Sequence, residues 1–328
     1  MVRGTIDGIE ETYRALRERV AWRLVPRDGV LVAGPGAWDW LQGQVSQDLT
    51  SLSPAVSPPP GGDSAPSVET LVLSPQGKID AYCRLTVVGP EHFLLDVRAG
   101  FGERLEERLR RFKLRVKADL EPWPGLTLVE VRGPATPPAA DLVVWGGGEA
   151  VGVVDFAWDG LAGRDVIFGP GSAVPSPARS ELPDQPGDDA AFEAARIEAG
   201  IPHLGTELTE RTIPQEAGEL VARAVSFTKG CYTGQELVAR IDARGSNTPR
   251  RLQGVVISPP ASPDRGDALL VDGSTIGEIT SVAWSPGLAA YVALAYVKRG
   301  TQLPCQAAVV TSSGAVPGEV RPLPLSSG

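Results

Sequence analysis

The sequence is short of the residues that build disulfide frameworks and metal centres. It has three cysteines, Cys83, Cys231 and Cys305, far apart in the chain, and two histidines, His92 and His203. An odd and sparse set of cysteines provides neither a disulfide framework nor a CxxC metal motif. Neither histidine has a second ligand at a suitable spacing. We therefore expect no metal site within this chain and a reducing cellular environment.

Long apolar stretches are also missing. No run approaches the roughly 18 residues that a membrane-spanning helix needs, and the N-terminal residues lack the apolar core of a signal peptide. Acidic residues outnumber basic ones, 40 to 31, for a formal net charge of −9. A protein that binds mainly through phosphates needs a local basic patch to overcome such a balance. These features predict a cytoplasmic protein with no membrane contact and no direct nucleic-acid partner.

What the sequence does contain is enough apolar material for more than one core. The chain has 328 residues, of which 42% are hydrophobic, and a single core rarely organises so long a chain. We predict an α+β fold with an N-terminal lobe (residues 1–125), a second α+β lobe (126–248) and a C-terminal β-barrel (249–328). The first two lobes are free to exchange segments.

Local patterns assign several elements of the α+β region. Either Asp188 or Asp189 can cap a helix that ends before Gly200, which suits the left-handed residue after a helix. The apolar spacing within Trp38–Leu49 predicts a short helix. The apolar run Leu142–Trp145 predicts a strand.

From Arg250 onward the sequence has a different character. Short β-type runs alternate with Gly, Pro and Asp, and no helical pattern is present. These features predict a small antiparallel barrel of about 75 residues. The predicted strands are Leu252–Ile257, Ala268–Val271, Thr275–Trp284, Ala290–Val297 and Ala307–Thr311.

The most unusual local sequence is the octapeptide KGCYTGQE, which runs from Lys229 to Glu236. A helix-compatible stretch follows Gly234 directly. A thiol near a helix N-terminus lies in a positive partial field, and Lys229 adds positive charge, so both favour the thiolate of Cys231. The alternative is that Cys231 is a small buried hydrophobic residue, the commoner role of a lone cysteine.

This octapeptide carries every position of the signature of the YgfZ family, which is related to the glycine-cleavage T-protein. Further motifs that resemble the family follow one another in the expected order over about residues 20–300. They are Leu41-Gln42-Gly43-Gln44 with Asp48, Gln76-Gly77-Lys78, Arg196–Pro202, Ile213–Glu216, Gly277–Ser281 and Ala293–Val297.

The resemblance implies a three-lobed, T-protein-like fold that holds tetrahydrofolate, non-covalently, in a central cavity between its lobes. Glu198 stands where the T-protein group has the carboxylate that contacts the pterin. A carboxylate suits the adjacent N–H donors of a pterin edge, because it can accept them as a charge-assisted pair. The alternative for Glu198 is a glutamate on a helix surface.

Other candidate residues follow from the same motifs. Asp48 either faces the folate cavity or serves as a cap or solvated acid. Gln44 and Tyr232 are assigned to cofactor binding, and Lys229 is assigned to the reactive site with Cys231. Arg240 either binds the glutamate tail of folate or pairs with the glutamate one helical turn before it.

The resemblance also implies a function. We expect a tetrahydrofolate-binding accessory factor that uses Cys231 in the assembly or repair of [4Fe–4S] enzymes, including those that modify tRNA. Its partners would be folate and iron–sulfur proteins or their assembly factors. A complete cluster site usually needs several cysteines, so Cys231 contributes one ligand at most.

Two alternatives stay open. One is a folate-dependent one-carbon (aminomethyl) transferase or demethylase, which would need a cavity carboxylate such as Asp48. The other is an interaction module that has kept the fold without folate binding. The thiol has no counterpart in the T-protein enzymes, and their full catalytic set is not recognisable here, so the accessory role is our leading prediction.

Overall fold

The computed structural model describes residues 6–52, 64–177 and 182–325. Its helices are α1 (Ile6–Glu18), α2 (Ala37–Gln42), α3 (Gly102–Arg111), α4 (Ala139–Gly146), α5 (Asp189–Glu198), α6 (Leu220–Ala224) and α7 (Gln235–Ala243). Its strands are β1 (Ala21–Ala33), β2 (Ser67–Leu73), β3 (Ile79–Gly89), β4 (His92–Arg98), β5 (Asp119–Arg132), β6 (Ala150–Asp155), β7 (Gly163–Phe168), β8 (Arg250–Ile257), β9 (Ala268–Val271), β10 (Ser274–Ser285), β11 (Ala290–Lys298), β12 (Cys305–Thr311) and β13 (Gly314–Arg321).

The first seven strands form one antiparallel sheet in the order β2-β3-β4-β1-β5-β7-β6. One large core lies between the β1–β4 half of the sheet and α2, α3 and α7. A second core lies between α4 and the β5–β7 half, where Trp145 meets Phe168 edge to face. The two halves share the long pair β1·β5. The division that we predicted between residues 125 and 126 falls inside β5, so the two α+β lobes are continuous through one strand.

The C-terminal strands close into a barrel in the order β10-β11-β8-β13-β12-β9. This confirms the predicted antiparallel barrel and its five predicted strands. The sixth strand, β13, was not predicted, because Pro317 and two glycines interrupt its apolar pattern. Inward-facing Val255, Leu269, Ile279 and Val309 fill the interior.

Helix α5 joins the α+β region to the barrel. The Asp188 side chain accepts a hydrogen bond from the Ala190 N–H at 2.8 Å and so caps the start of α5, as predicted. Gly200 lies just beyond its end with φ of +72°. The helix packs against α1 on one side and against β10 and β11 on the other, around Phe192 and Ile197. The residues at the C-terminal end of α5 therefore lie where the lobes meet.

Two predicted elements were wrong. Leu142–Trp145 lies in helix α4, in which Leu142 and Trp145 are buried and Val143 and Val144 are exposed, a helical and not an alternating pattern. The helix predicted over Trp38–Leu49 ends at Gln42. After Gly43 the chain turns towards β2, where Val45 forms a bridge with Val72. This loop contributes to the site described next.

Candidate functional site

The signature octapeptide forms a loop that is fixed between α2 and the β2–β3 hairpin. The Thr233 N–H donates to the Gly43 carbonyl at 3.1 Å. Gly234 has φ of +84°, and a Cβ there would lie 2.4 Å from the Ser74 carbonyl oxygen. Only glycine can occupy this position without strain. The loop is therefore held at both sides before α7 begins.

Lys229 acts as a clamp within this loop. Its Nζ donates to the carbonyl oxygens of Val45 and Gln47, each at 2.8 Å, and lies 5.3 Å from the centroid of the Tyr232 ring. Partial burial lowers the pKa of Lys229 to about 8, although the Asp48 carboxylate opposes the shift. The amine ties the signature loop to the chain that follows α2.

Cys231 is exposed at the surface of this loop. Helix α7 begins four residues later, at Gln235, and a helix dipole acts mainly within its first turn. Accessibility, and not the helix field that we expected, is what distinguishes this thiol. Cys83, in contrast, is fully buried, and burial raises its pKa to about 12; Cys305 is half-buried, and desolvation raises its pKa too.

Two polar candidates from the early motif lie in the adjacent loop. Asp48 accepts hydrogen bonds from Gln42 Nε2 at 2.7 Å and from the Thr50 N–H at 3.0 Å, and these bonds lower its pKa. Gln44 Oε1 is buried and has no hydrogen-bond partner among the residues that the structure describes. Its neighbours Gly43 and Val45 both contact the signature loop. The two motifs are thus brought together in space.

Tyr232 and Arg240, which the sequence assigned to cofactor binding, lie in the core and on the exposed face of α7 respectively. Tyr232 packs into the core of the β1–β4 half, and burial raises its pKa to about 12. Arg240 forms an exposed ion pair with Glu236 at 2.6 Å, one turn earlier on α7. The sequence offered this ion pair as the alternative to binding the glutamate tail of folate. Neither side chain lines the central cavity.

Glu198 is buried, as a pterin ligand would be, but its carboxylate already has partners. It accepts hydrogen bonds from the Tyr13 hydroxyl (2.8 Å to Oε2), from Arg17 and from the Ser285 hydroxyl. These partners belong to α1 and to the barrel. As placed, Glu198 fastens the lobes together and is not among the residues that line the central cavity.

The central cavity lies between the sheet and the segment that follows α5, and has a volume of about 70 Å³. Its walls combine aromatic rings with charged side chains. They include Tyr82, Phe156, Trp158, Glu69, Glu130, Asp165, Arg27, Arg84, Arg98, Arg196 and His203. A cleft of about 650 Å³ shares Trp158, Ile201 and Pro202 with it and opens between α6 and the barrel. The cavity and the cleft are therefore adjacent.

Buried ion pairs organise this cavity. Asp165 accepts from Arg84 Nη1 at 2.6 Å and from Arg132 Nη1 at 2.7 Å. These cations lower the pKa of Asp165 against the opposing effect of burial. Arg84 also pairs with Asp96 at 2.9 Å. Arg84 Nη2 remains buried without a partner in the described parts of the chain, so the network retains donor capacity.

Two glutamates retain acceptor capacity in the same walls. Glu69 accepts through Oε1 from Tyr82 and from Arg223 Nη2 at 2.9 Å, which leaves Oε2 without a hydrogen bond from any described residue. Glu130 accepts through Oε2 from Arg23 Nε at 2.8 Å, and its Oε1 lies 3.8 Å from Arg132 Nη2. Each glutamate therefore presents one oxygen that a ligand could use.

Sequence reasoning missed this set of charges. The available signal was the presence of ionised residues inside apolar strand runs, as in Cys83-Arg84-Leu85, Val129-Glu130-Val131 and Arg164-Asp165-Val166. A charge in the interior of a sheet is costly unless it is paired. Such positions therefore predict buried networks, although their partners come from distant strands.

His203 also faces the cavity. Burial, with the positive charge of Arg196 as the next cause, lowers its pKa to about 2. The side chain is therefore neutral at physiological pH. Among the described residues no group of three or more His, Cys, Asp or Glu side chains is arranged to hold a metal ion. No helix in the described ranges is long and apolar enough to cross a membrane.

Comparison with known proteins gives several relatives. The profile of the glycine cleavage T-protein C-terminal barrel domain matches residues 250–326. The tRNA-modifying protein YgfZ of Edwardsiella ictaluri is 29% identical over 66% of this chain and 65% of its own length. The mitochondrial iron–sulfur cluster assembly factor IBA57 homolog of Chaetomium globosum is 27% identical over 76% of this chain and 59% of its own length. The chain thus spans about two thirds or less of these relatives.

The fold has a solved counterpart. Aminomethyltransferase T of the glycine cleavage system from Bartonella henselae matches with a TM-score of 0.71, over 97% of this chain and 89% of that protein, at 19% sequence identity. At this identity the likeness establishes the fold alone. The chain therefore has the fold of the glycine-cleavage T-protein, and its named relatives and signature octapeptide make it similar to the YgfZ family.

Proposed function

We propose that this protein binds a reduced folate, tetrahydrofolate, in its central cavity and supports the assembly or repair of iron–sulfur enzymes through Cys231. The observation that carries the proposal is the combination of an exposed thiol on a clamped loop with a separate, polar and aromatic cavity. The names of two relatives, a tRNA-modifying protein and an iron–sulfur cluster assembly factor, agree with this class of function.

The cavity has the chemistry that a pterin requires. A pterin is flat and presents adjacent N–H donors together with a carbonyl acceptor. The free oxygens of Glu69 and Glu130 can accept from the donor edge, and the unpaired Arg84 Nη2 can donate to the carbonyl. Phe156 and Trp158 supply apolar ring faces. When bound, the folate supplies ring nitrogens that can carry a one-carbon unit.

The cleft beside the cavity suits the remainder of such a ligand. It is larger than the cavity, with about 650 Å³ against 70 Å³, and it contains Arg223 and Arg251 beside apolar Leu220 and Leu252. An aromatic linker can lie against the apolar residues, and arginine guanidinium groups suit a terminal carboxylate. The inner cavity takes the ring only after a small displacement of its walls, as is common when side chains adapt to ligands.

A path of contacts joins the cavity to the thiol loop. The Arg223 side chain binds Glu69 in the cavity wall, and the Arg223 carbonyl accepts from Gln47 Nε2 at 2.7 Å. The Gln47 carbonyl in turn accepts from Lys229 Nζ. Cavity and thiol loop thus share α6 as a common support, which makes a folate requirement for a thiol-dependent role physically reasonable.

In this proposal the iron–sulfur cluster is a substrate of the protein and not its resident cofactor. One exposed cysteine cannot complete a [4Fe–4S] site, which usually has four thiolate ligands. Cys231 would provide one ligand, or one exchanging thiol, while the partner protein provides the rest. The role therefore requires that Cys231 be reachable by another protein, and its exposure meets that requirement.

Folate binding can be tested by calorimetric titration with tetrahydrofolate under anaerobic conditions. We expect Glu69→Gln to weaken binding about tenfold, because an amide replaces the carboxylate that faces the ligand donors. Glu198→Gln is the control, since it makes the same substitution at a buried glutamate that does not line the cavity; its binding constant should stay near that of the wild type. No binding by the wild type, or a loss confined to Glu198→Gln, would contradict the proposed site.

A one-carbon transferase is the second candidate, and the likeness to an aminomethyltransferase fold favours keeping it. Asp48 lies outside the cavity, so the base for such chemistry would be Glu69 or Glu130. This candidate predicts formation of a folate one-carbon adduct from an amine donor, measured by mass spectrometry, and loss of turnover in Glu69→Gln. Folate binding without turnover of any methylamine-type donor would favour the accessory role.

A further inference from the structure

A concentrated basic segment lies on the surface of this acidic protein. Residues 110–117 read RRFKLRVK, with five cations and no carboxylate, in a chain of formal net charge −9. Arg110 pairs with Glu106 at 2.5 Å. Arg111, Lys113, Arg115 and Lys117 have no ion-pair partner among the described residues. We call residues 110–117 the basic segment.

The basic segment is presented outward and not buried by the fold. Arg111, Arg115 and Lys117 are exposed, and Leu114 between them is 79% exposed. Arg115 has φ of +56°, in the left-handed region that is unfavourable for an arginine. The turn thus combines an unfavourable backbone conformation at Arg115 with an exposed leucine.

The basic segment lies close to the thiol loop. Trp40 Nε1, on α2, donates to the Phe112 carbonyl at 3.3 Å. The Gly43 carbonyl, at the other end of α2, accepts from the Thr233 N–H at 3.1 Å. Residues 40 and 43 are one helical turn apart, about 4.5 Å along the axis. One short helix therefore separates the segment from the loop that bears Cys231.

The chain that leads into the thiol loop carries a second exposed apolar residue. Phe227, four positions before Cys231, is 46% exposed. A protein interface of ordinary size buries roughly 800 Å² on each partner, about 20–30 residues a side, so it extends well beyond the eight residues of the basic segment. Such an interface would include aromatic and arginine side chains, which are enriched at protein–protein contacts.

We propose that the basic segment is a docking site for an acidic face of a partner protein. The partner is the iron–sulfur protein on which Cys231 acts in the proposed function. The positive charges attract and orient that face, Leu114 and Phe227 contact its apolar residues, and the thiol is then held against the partner. Because the rest of the chain is acidic, an acidic partner is repelled elsewhere and accepted here. Complementary charge would therefore fix the orientation of the encounter.

The surface favours a protein over a nucleic acid. Sequence-tolerant nucleic-acid surfaces combine phosphate contacts with aromatic rings on which bases stack. The ring within the basic segment, Phe112, is half-buried, and the guanidinium of Arg108 lies 3.9 Å from its centroid. Leu114, the exposed apolar side chain of the basic segment, is aliphatic and offers no stacking surface, and the exposed ring of Phe227 stands outside that segment. An acidic protein face with apolar residues is the better complement.

The test measures docking by the rate at which Cys231 is labelled. The probe is a synthetic twelve-residue peptide of Asp and Glu with two leucines, bearing a terminal cysteine activated as a 2-pyridyl disulfide. The Cys231 thiolate attacks the activated disulfide, a mixed disulfide forms and pyridine-2-thione leaves, which gives an absorbance signal. The protein is the full chain with Cys305→Ser, in which Cys83 remains buried.

We expect the acidic peptide to react at least about tenfold faster than a neutral peptide of equal length at low salt, because complementary charge speeds the encounter. Combined Arg111→Glu, Lys113→Glu and Arg115→Glu substitutions should remove that advantage. Arg14→Glu, Arg265→Glu and Arg299→Glu together are the control, with the same charge change at exposed arginines elsewhere, and should retain most of the advantage. Thermal unfolding verifies that both variants are folded.

Equal rates for the two peptides, or an advantage that survives the triple reversal in the basic segment, would overturn the inference. Tight binding of a single-stranded RNA oligonucleotide to the segment, without acceleration by the acidic peptide, would overturn it in favour of nucleic acid. The inference rests on the proposed role of Cys231 for its biological meaning. The assay reads docking alone, however, so its failure is distinguishable from a failure of iron–sulfur support.

Discussion

Lys229 and Cys231 stand two residues apart in the signature and lie in opposite surroundings. The lysine amine is half-buried against the Val45 and Gln47 carbonyls, whereas the thiol is exposed. The sequence assigned both residues to reactive chemistry. In the structure Lys229 positions the loop, and Cys231 is the group that another molecule can reach.

Removal of the Lys229 amine should loosen the loop. Lys229→Met keeps the length of the side chain but leaves the Val45 and Gln47 carbonyls without their donor. We expect the free energy of unfolding to fall by about 1 kcal/mol, measured by urea titration. Lys113→Met, at a lysine with no contact of this kind, is the control and should be near neutral. Equal stability of Lys229→Met and wild type would show that the clamp contributes nothing.

His203 should make stability depend on pH. Its pKa is about 2 in the folded protein and about 6.5 when unfolded. Between these values the unfolded chain binds more protons, so the free energy of unfolding falls as pH falls below about 6.5. From pH 7 to pH 5.5 the loss should be about 1 kcal/mol.

His203→Gln should abolish that loss, as measured by urea unfolding at the two pH values. His92→Gln provides the comparison, because His92 is the only other histidine and is exposed at the start of β4. The unfolding free energy of His92→Gln should show the same pH dependence as that of the wild type. A wild-type protein and a His203→Gln variant with the same pH dependence would contradict the assignment of a neutral, buried His203.

At the scale of elements, the sequence predicted those whose signals are local. The cap of α5 at Asp188, the glycine that follows it and the alternating barrel strands all depend on neighbouring residues. Helix α4 was mistaken for a strand because Leu142–Trp145 is a short apolar run. Such a run is compatible with the periodicity of a buried helix as well as with that of a buried strand. The end of α2 at Gln42 was missed because the following loop is held by β2, far away in sequence.

The junction of the signature loop with the β2–β3 hairpin should be sensitive to one methyl group. Gly234→Ala places a Cβ 2.4 Å from the Ser74 carbonyl and requires φ of +84° from alanine. We expect a loss of roughly 3 kcal/mol in unfolding free energy, seen as a lower midpoint in thermal unfolding. Gly230→Ala, in the same loop but with open space around its Cβ, should cost little. Similar midpoints for the two variants would argue against the fixed junction.

At the scale of the whole molecule, the sequence predicted the thiol loop and a central cavity but not the charged residues that line that cavity. The octapeptide is contiguous, so its resemblance to a family was visible without a structure. The cavity charges come from β2, β3, β5 and β7, and only the sheet order brings Glu69, Arg84, Glu130 and Asp165 together. Glu198 was predicted to contact the pterin, and its hydrogen bonds with Tyr13 and Ser285 could not be inferred from local spacing.

We propose that an exposed thiol on this T-protein-like fold supports iron–sulfur enzymes. The most direct measurement complements a bacterial host that lacks its own family member and quantifies the product of a [4Fe–4S] tRNA methylthiotransferase. Wild type, Cys231→Ala and Cys305→Ala are compared at equal soluble expression. We predict that wild type and Cys305→Ala restore the product and that Cys231→Ala does not. Restoration by Cys231→Ala would contradict the role of the thiol, and restoration by none of the three would contradict the iron–sulfur function itself.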